Sequence, residues 1–105
     1  MAVQIATTRG PYNLRAAAPL ENEGGAVVLT LAMERADGIE RVVVRCHIAA
    51  SFAGLPVDAD ALIARMRPWL ERQFEQTREA ALKSIRAERR LLELRFDADN
   101  PGPFG

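Results

Sequence analysis

The chain has 105 residues, 49% of them apolar and 27% charged, and its 14 basic and 14 acidic side chains cancel. That describes one globular domain of ordinary size, with no overall field to draw in nucleic acid or an anionic membrane. The single cysteine, Cys46, excludes an intrachain disulfide, and no stretch nears the ~20 apolar residues that span a bilayer.

The charge is balanced locally too: residues 1–57 carry five of each sign and residues 58–105 carry nine. The first residues lack a basic run, and the apolar stretch Ala2–Ala6, broken by Gln4, is too short for a signal peptide. The expectation is a cytoplasmic protein. Thirteen of the fourteen basic residues are arginine and alanine is abundant, a bias that GC-rich coding DNA produces and that points to a bacterial source.

Residues 2–9 alternate weakly, with Val3, Ile5 and Thr7 on one parity. Gly10-Pro11 reads as a turn, Tyr12 to Ala18 as a returning strand stopped by Pro19, and Leu20 to Gly25 as a loop. The clearest pattern follows. Residues 26–35 (AVVLTLAMER) and 39–49 (IERVVVRCHIA) flank Asp37-Gly38, a strong hairpin signal that predicts a type I′ turn. With a two-residue loop, paired positions sum to 75. Met33 then faces Val42, Leu31 faces Val44, Leu29 faces Cys46 and Val27 faces Ile48, one continuous apolar face. On the other face Glu34 meets Arg41, Thr30 meets Arg45 and Val28 meets His47, and near the turn Arg35 meets Glu40.

Ser51 to Pro56 reads as a loop, and Asp58 or Asp60 as the cap of a helix. With Asp58 as cap, Val57 and Leu62 occupy the positions of a hydrophobic staple. Leu62, Met66, Trp69, Leu70, Phe74, Ala81, Leu82, Ile85 and Leu92 recur at helical spacing. Pro68 predicts either a kink or a second helix that opens on it. Leu92 to Phe96 fits the end of the helix and also alternates like a strand. Residues 97–105 (DADNPGPFG) read as an irregular or mobile tail. The whole predicts a single α+β domain over residues 1–105. An antiparallel sheet of three or four strands comes first, and one long kinked helix or two consecutive helices pack on its apolar face. The expected core is Val27, Leu29, Leu31, Met33, Val42, Val44, Ile48, Leu62, Met66, Leu70, Phe74 and Ile85.

No catalytic, cofactor or metal constellation is legible. Cys46 and His47 are neighbours on a strand, so they point to opposite faces and form no dyad. One cysteine and one histidine make no zinc site within a chain. Asp97-Ala98-Asp99-Asn100 begins like a calcium loop, but Pro101 and the missing twelfth-position Glu break the pattern. Gly24-Gly25 precedes a strand, so it lacks the helix end that grips phosphate, and Ser51 and Ser84 have no triad context. Arg41, Arg45 and His47 share the polar sheet face and are weak candidates for anion contacts.

The helix carries the more informative pattern. Glu71, Glu75 and Glu79 fall early; Lys83, Arg86, Arg89, Arg90 and Arg95 fall late. This complements the helix dipole, and it also makes two antiparallel copies complementary when they cross at Ala80-Ala81. A straight helix after Pro68 spans ~42 Å, against ~30–34 Å for a strand of nine or ten residues, so part of its stripe overhangs the sheet. The expectation is a non-enzymatic interaction module, homodimeric or bound to another protein. Its candidate residues are Trp69, Phe74, Glu75, Glu79, Ala81, Lys83, Arg86 and Arg90. Nucleic acid is a minority reading: the basic run is short, mixed with Glu88 and Glu93, and has no interleaved aromatics.

Overall fold

The computed structural model describes residues 3–105, and of Glu88 its backbone alone. Ala2, placed by the sequence in the first strand, and the Glu88 side chain, counted in its charge pattern, lie outside the described residues. The strands are β1 (Val3–Thr7), β2 (Gly10–Ala16), β3 (Glu21–Glu23), β4 (Ala26–Arg35), β5 (Arg41–Ala49) and β6 (Leu92–Phe96). Helices α1 (Ala59–Arg72) and α2 (Phe74–Glu88) lie between β5 and β6.

The strands form one six-stranded sheet in the order β1-β2-β4-β5-β6, with β3 also paired to β4. It is mixed, because β6 runs parallel to β5 while the other pairs are antiparallel. The expected three- or four-stranded antiparallel sheet is thus too small and misses the parallel edge. Parallel neighbours need a crossover, and here the two helices supply it.

β4 and β5 pair in the expected register, with Met33 opposite Val42 and Val27 opposite Ile48. The turn differs. Gly38 N–H donates to Arg35 O (2.7 Å) and Arg35 N–H donates to Glu40 O (2.9 Å), which closes a four-residue loop. Gly38 has φ 77° and Asp37 has no positive φ, so this is a type I turn ending on a left-handed glycine rather than type I′. Two- and four-residue loops share a centre, so the sum of 75 survives.

β2 and β3 share one side of β4. Their pairs sum to 47 (Tyr12 with Arg35) and to 49 (Glu21 with Val28), so two extra residues bulge out between them. The connection between β1 and β2 is Thr8-Arg9, and Gly10-Pro11 already belongs to β2.

Asp58 caps α1, its side chain accepting from Ala61 N–H at 3.0 Å. The expected staple does not form, because Val57 is 94% exposed. Pro68 sits inside α1 and neither ends nor opens a helix. Both Pro68 and Ala64 are exposed, so the carbonyl that Pro68 leaves without a donor faces water. The break comes at Gln73 instead (φ −100°, ψ 11°). Arg89, in the left-handed region at φ 56°, ends α2. The straight helix on which the expected overhang rested is therefore absent: Gln73 breaks it, and residues 92–96 form β6.

The helices cover the sheet face of Ile5, Tyr12, Leu14, Leu29, Leu31, Met33, Val42, Val44, Cys46 and Ile48, all buried. Leu62, Ile63, Met66, Leu70, Phe74 and Ala81 close that core from above. Two expected core residues differ: Val27 is partly buried and Ile85 is 43% exposed. The tail, expected to be irregular, turns at Asp97–Asn100 and forms a 3₁₀ turn over Gly102–Phe104. Phe104 packs against Phe52 and Phe96, with ring centroids 5.3 and 5.9 Å away.

Candidate interaction surface

The two ends of α2 meet different surroundings. Glu75 accepts from Arg9 Nε (3.2 Å) and the Thr8 hydroxyl (3.2 Å), and Glu71 at the end of α1 accepts from Ala6 N–H (3.2 Å). The acidic run is largely spent inside the chain. Glu79 is exposed and accepts from Arg78 Nη1 at 3.3 Å. Lys83, Arg86, Arg89 and Arg90 are all exposed.

The apolar candidates divide as well. Phe74 and Ala81 are 2% and 0% exposed and face the sheet. A second helix has no access to Ala81, so the crossing expected at Ala80-Ala81 is blocked by the chain's own core. Trp69 is partly buried and sets its ring against Phe96 at 5.2 Å, edge to face. Ile85 follows the same inward spacing, but α2 lies over β5 and β6 and β6 is the last strand of the sheet. The final turns of α2 have no further strand beneath them.

The two long edges of the sheet are finished differently. On β1, Arg67 Nε donates to Gln4 O (3.0 Å) and Glu71 accepts from Ala6 N–H (3.2 Å). Arg67 and Glu71 lie four residues apart on one face of α1, and together they occupy two of the backbone groups that β1 turns away from β2, Gln4 O and Ala6 N–H. On β6, Asn100 Nδ2 donates to Arg95 O at 3.0 Å. Asp97, of the same parity as Arg95, exchanges both backbone bonds with Asn100, so Arg95 and by alternation Glu93 turn their backbone groups away from β5. No side chain from α1 or α2 reaches this edge among the described bonds. Leu92 and Leu94 along it are only partly buried.

The open sheet face carries Arg41, Arg45 and His47, each beside a carboxylate. Arg41 Nε lies 3.9 Å from Glu34, Arg45 Nη2 lies 3.8 Å from Glu23, and His47 Nε2 lies 2.7 Å from Glu93. His47 is 7% exposed, so it is a buried, paired side chain rather than a solvated one. The His47 contact holds the Glu93 carboxyl below its ordinary range. The Arg45 Nε is buried without a partner among the described residues. These pairings support a self-neutralised face over an anion site.

Burial pushes the Cys46 thiol up to about 12, the opposite of what a nucleophile requires. A cleft of about 460 Å³ lies between Ala6–Thr8 and Glu71–Glu75, where both of those carboxylates are already engaged. An apolar cleft of about 290 Å³ lies between Leu20, Val27, Leu55 and Val57. Among the described residues no three His, Cys, Asp or Glu side chains gather as metal ligands, and no helix is long and apolar enough to cross a membrane.

The sequence pattern does not reveal the edge contacts of Arg67 and Glu71, the pairing of Glu93 with His47, or the exposure of Ile85. Arg67 and Glu71 carried an i, i+4 signal that reads equally as a solvated helix pair. Glu93 acquires meaning only once residues 92–96 are known to be a strand. Comparison with protein-family models, curated proteins and solved structures finds no match.

Proposed function

We propose that this chain is a small non-enzymatic interaction module that self-associates through the end of the molecule built by α2 and β6. The observation that carries this reading is Ile85. It follows the buried stripe of α2 yet is 43% exposed, and α2 packs over β6, an outer edge reached among the described hydrogen bonds by Asn100 of the tail and by no side chain of α1 or α2. The partner contact thus moves from the middle of the helix to its C-terminal turns and the adjoining strand. An apolar residue beside outward-turned backbone groups suits protein association, which combines apolar burial with hydrogen bonding.

Sedimentation equilibrium over a range of concentration and salt tests the reading. A reversible dimer in the micromolar range, weakened by salt and by Ile85→Lys, is the expected result. A monomer that persists at several hundred micromolar overturns it.

The exposed Lys83, Arg86 and Arg89 favour a second reading, contact with a polyanion. It predicts binding to mixed DNA or RNA that falls steeply with salt. No binding at low salt removes it.

A further inference from the structure

We propose, resting on the reading above, that the partner is a second copy of this chain, joined by antiparallel pairing of the two β6 edges about Leu94. The two sheets then become one.

The sequence around β6 is complementary to itself under a two-fold axis. With Leu94 opposite Leu94 of the other copy, paired positions sum to 188. Glu93 faces Arg95, and Arg95 faces Glu93. These are the two residues whose backbone groups turn outward, so each such pair exchanges both of its backbone hydrogen bonds. Arg95 O already accepts from Asn100 Nδ2, and in the pairing the partner's Glu93 N–H joins it on that oxygen, whose two lone pairs can accept both.

Both faces of the joined sheet match. On the open face each Glu93 carboxylate gains a guanidinium from the other copy while keeping His47. Within one chain Arg95 stands opposite His47 and Glu93 opposite Arg45, so Arg95 has no acidic cross-strand neighbour until the second copy arrives. On the helical face Leu94 meets Leu94 and Leu92 comes level with Phe96.

The charges also select the register. A sum of 186 sets Glu93 against Glu93, and a sum of 190 sets Arg95 against Arg95. Like charges directly opposite destabilise a strand pair. Only the sum of 188 makes both pairs attractive, and a two-fold contact makes them twice.

Charge reversal tests this. Arg95→Glu leaves two acidic positions on the edge, and Glu93→Arg leaves two basic ones. Each variant alone is expected to dimerise at least about tenfold more weakly than the unmodified chain. An equimolar mixture of the two restores pairing as a heterodimer, seen by native mass spectrometry, because their edges are complementary. Circular dichroism confirms that each variant is folded. Glu93→Arg also removes the partner of His47, so Arg95→Pro is the independent variant. The Arg95 N–H points away from β5, so proline there spares the sheet bond and blocks the edge. A folded Arg95→Glu or Arg95→Pro protein that dimerises as tightly as the unmodified chain overturns the strand pairing and leaves self-association standing. An unmodified chain that stays monomeric overturns both.

Discussion

Arg78 grips Glu40 with two parallel contacts, Nε to Oε1 at 2.6 Å and Nη2 to Oε2 at 2.7 Å. The Tyr12 hydroxyl donates to the same carboxylate at 2.6 Å. The three side chains tie β2, the start of β5 and α2 at one point. Tyr12 is fully buried and sits 4.5 Å from the Phe74 ring, so the polar knot is anchored in the core. Paired charges in a fork geometry are among the stronger hydrogen bonds. Arg78→Met is expected to lower unfolding free energy by about 2 kcal/mol. Arg9→Met, at the exposed Arg9–Glu75 pair, is expected to cost less than about 0.5 kcal/mol. Urea denaturation of the two variants checks the contrast.

The same contact predicts an acid response. Arg78, by hydrogen bonding to it, holds the Glu40 carboxyl at about 2, well below its ordinary 4.5. A carboxylate depressed in the folded state contributes stability that is complete above the unfolded value and is lost as the pH falls through the folded one. Stability should therefore decline between pH 4.5 and about 2. Arg78→Met should flatten that part of the profile. Denaturation midpoints measured across this range decide it.

Gly102 lies at φ 52°, and a Cβ placed there would stand 2.6 Å from two atoms of the Phe96 ring. Gly102→Ala should displace the tail and destabilise by about 1–3 kcal/mol, through overpacking and the left-handed backbone. Gly24→Ala has the same backbone demand (φ 56°) with open space around it, so it should cost less. Trp69 fluorescence reports the first change, because Trp69 rests on Phe96.

Arg67→Ala combined with Glu71→Ala frees Gln4 O and Ala6 N–H on the outer edge of β1. Exposed edges recruit other chains. The double variant should form species larger than the unmodified chain does at equal concentration, with little change in thermal midpoint. Light scattering detects them.

The central hairpin was legible because each strand carries an apolar parity on one side and charged or polar partners on the other. Leu31 opposite Val44 and Glu34 opposite Arg41 follow from one assumed centre, whichever turn closes the loop. β3 was illegible: its residues, Glu21, Asn22 and Glu23, are all exposed and present no apolar alternation. The helix break at Gln73 has no local signal either. Pro68 carries the strong signal, but it faces water, which can satisfy the carbonyl it leaves without a donor, and α1 runs on to Arg72, while Gln73 is the corner from which α2 crosses over β5 and β6. The sequence of β6 reads as helix or strand, because Leu92, Leu94 and Phe96 satisfy the strand period and Leu92 also continues the apolar stripe of the helix. The edge self-complementarity of Glu93 and Arg95 was out of reach until that ambiguity closed.

The cap on β1 has a consequence for how far any strand-to-strand assembly can go. The three-residue β3 is too short to sustain a ladder of its own. With Arg67 and Glu71 engaging Gln4 O and Ala6 N–H on β1, the β6 pairing proposed above would make the sheet monofunctional in the polymer chemist's sense, coupling at one end. A bifunctional subunit grows by repeated addition, and its product lengthens with concentration. A monofunctional one terminates at its first coupling, so crowding raises the fraction of coupled molecules and leaves the product the same size.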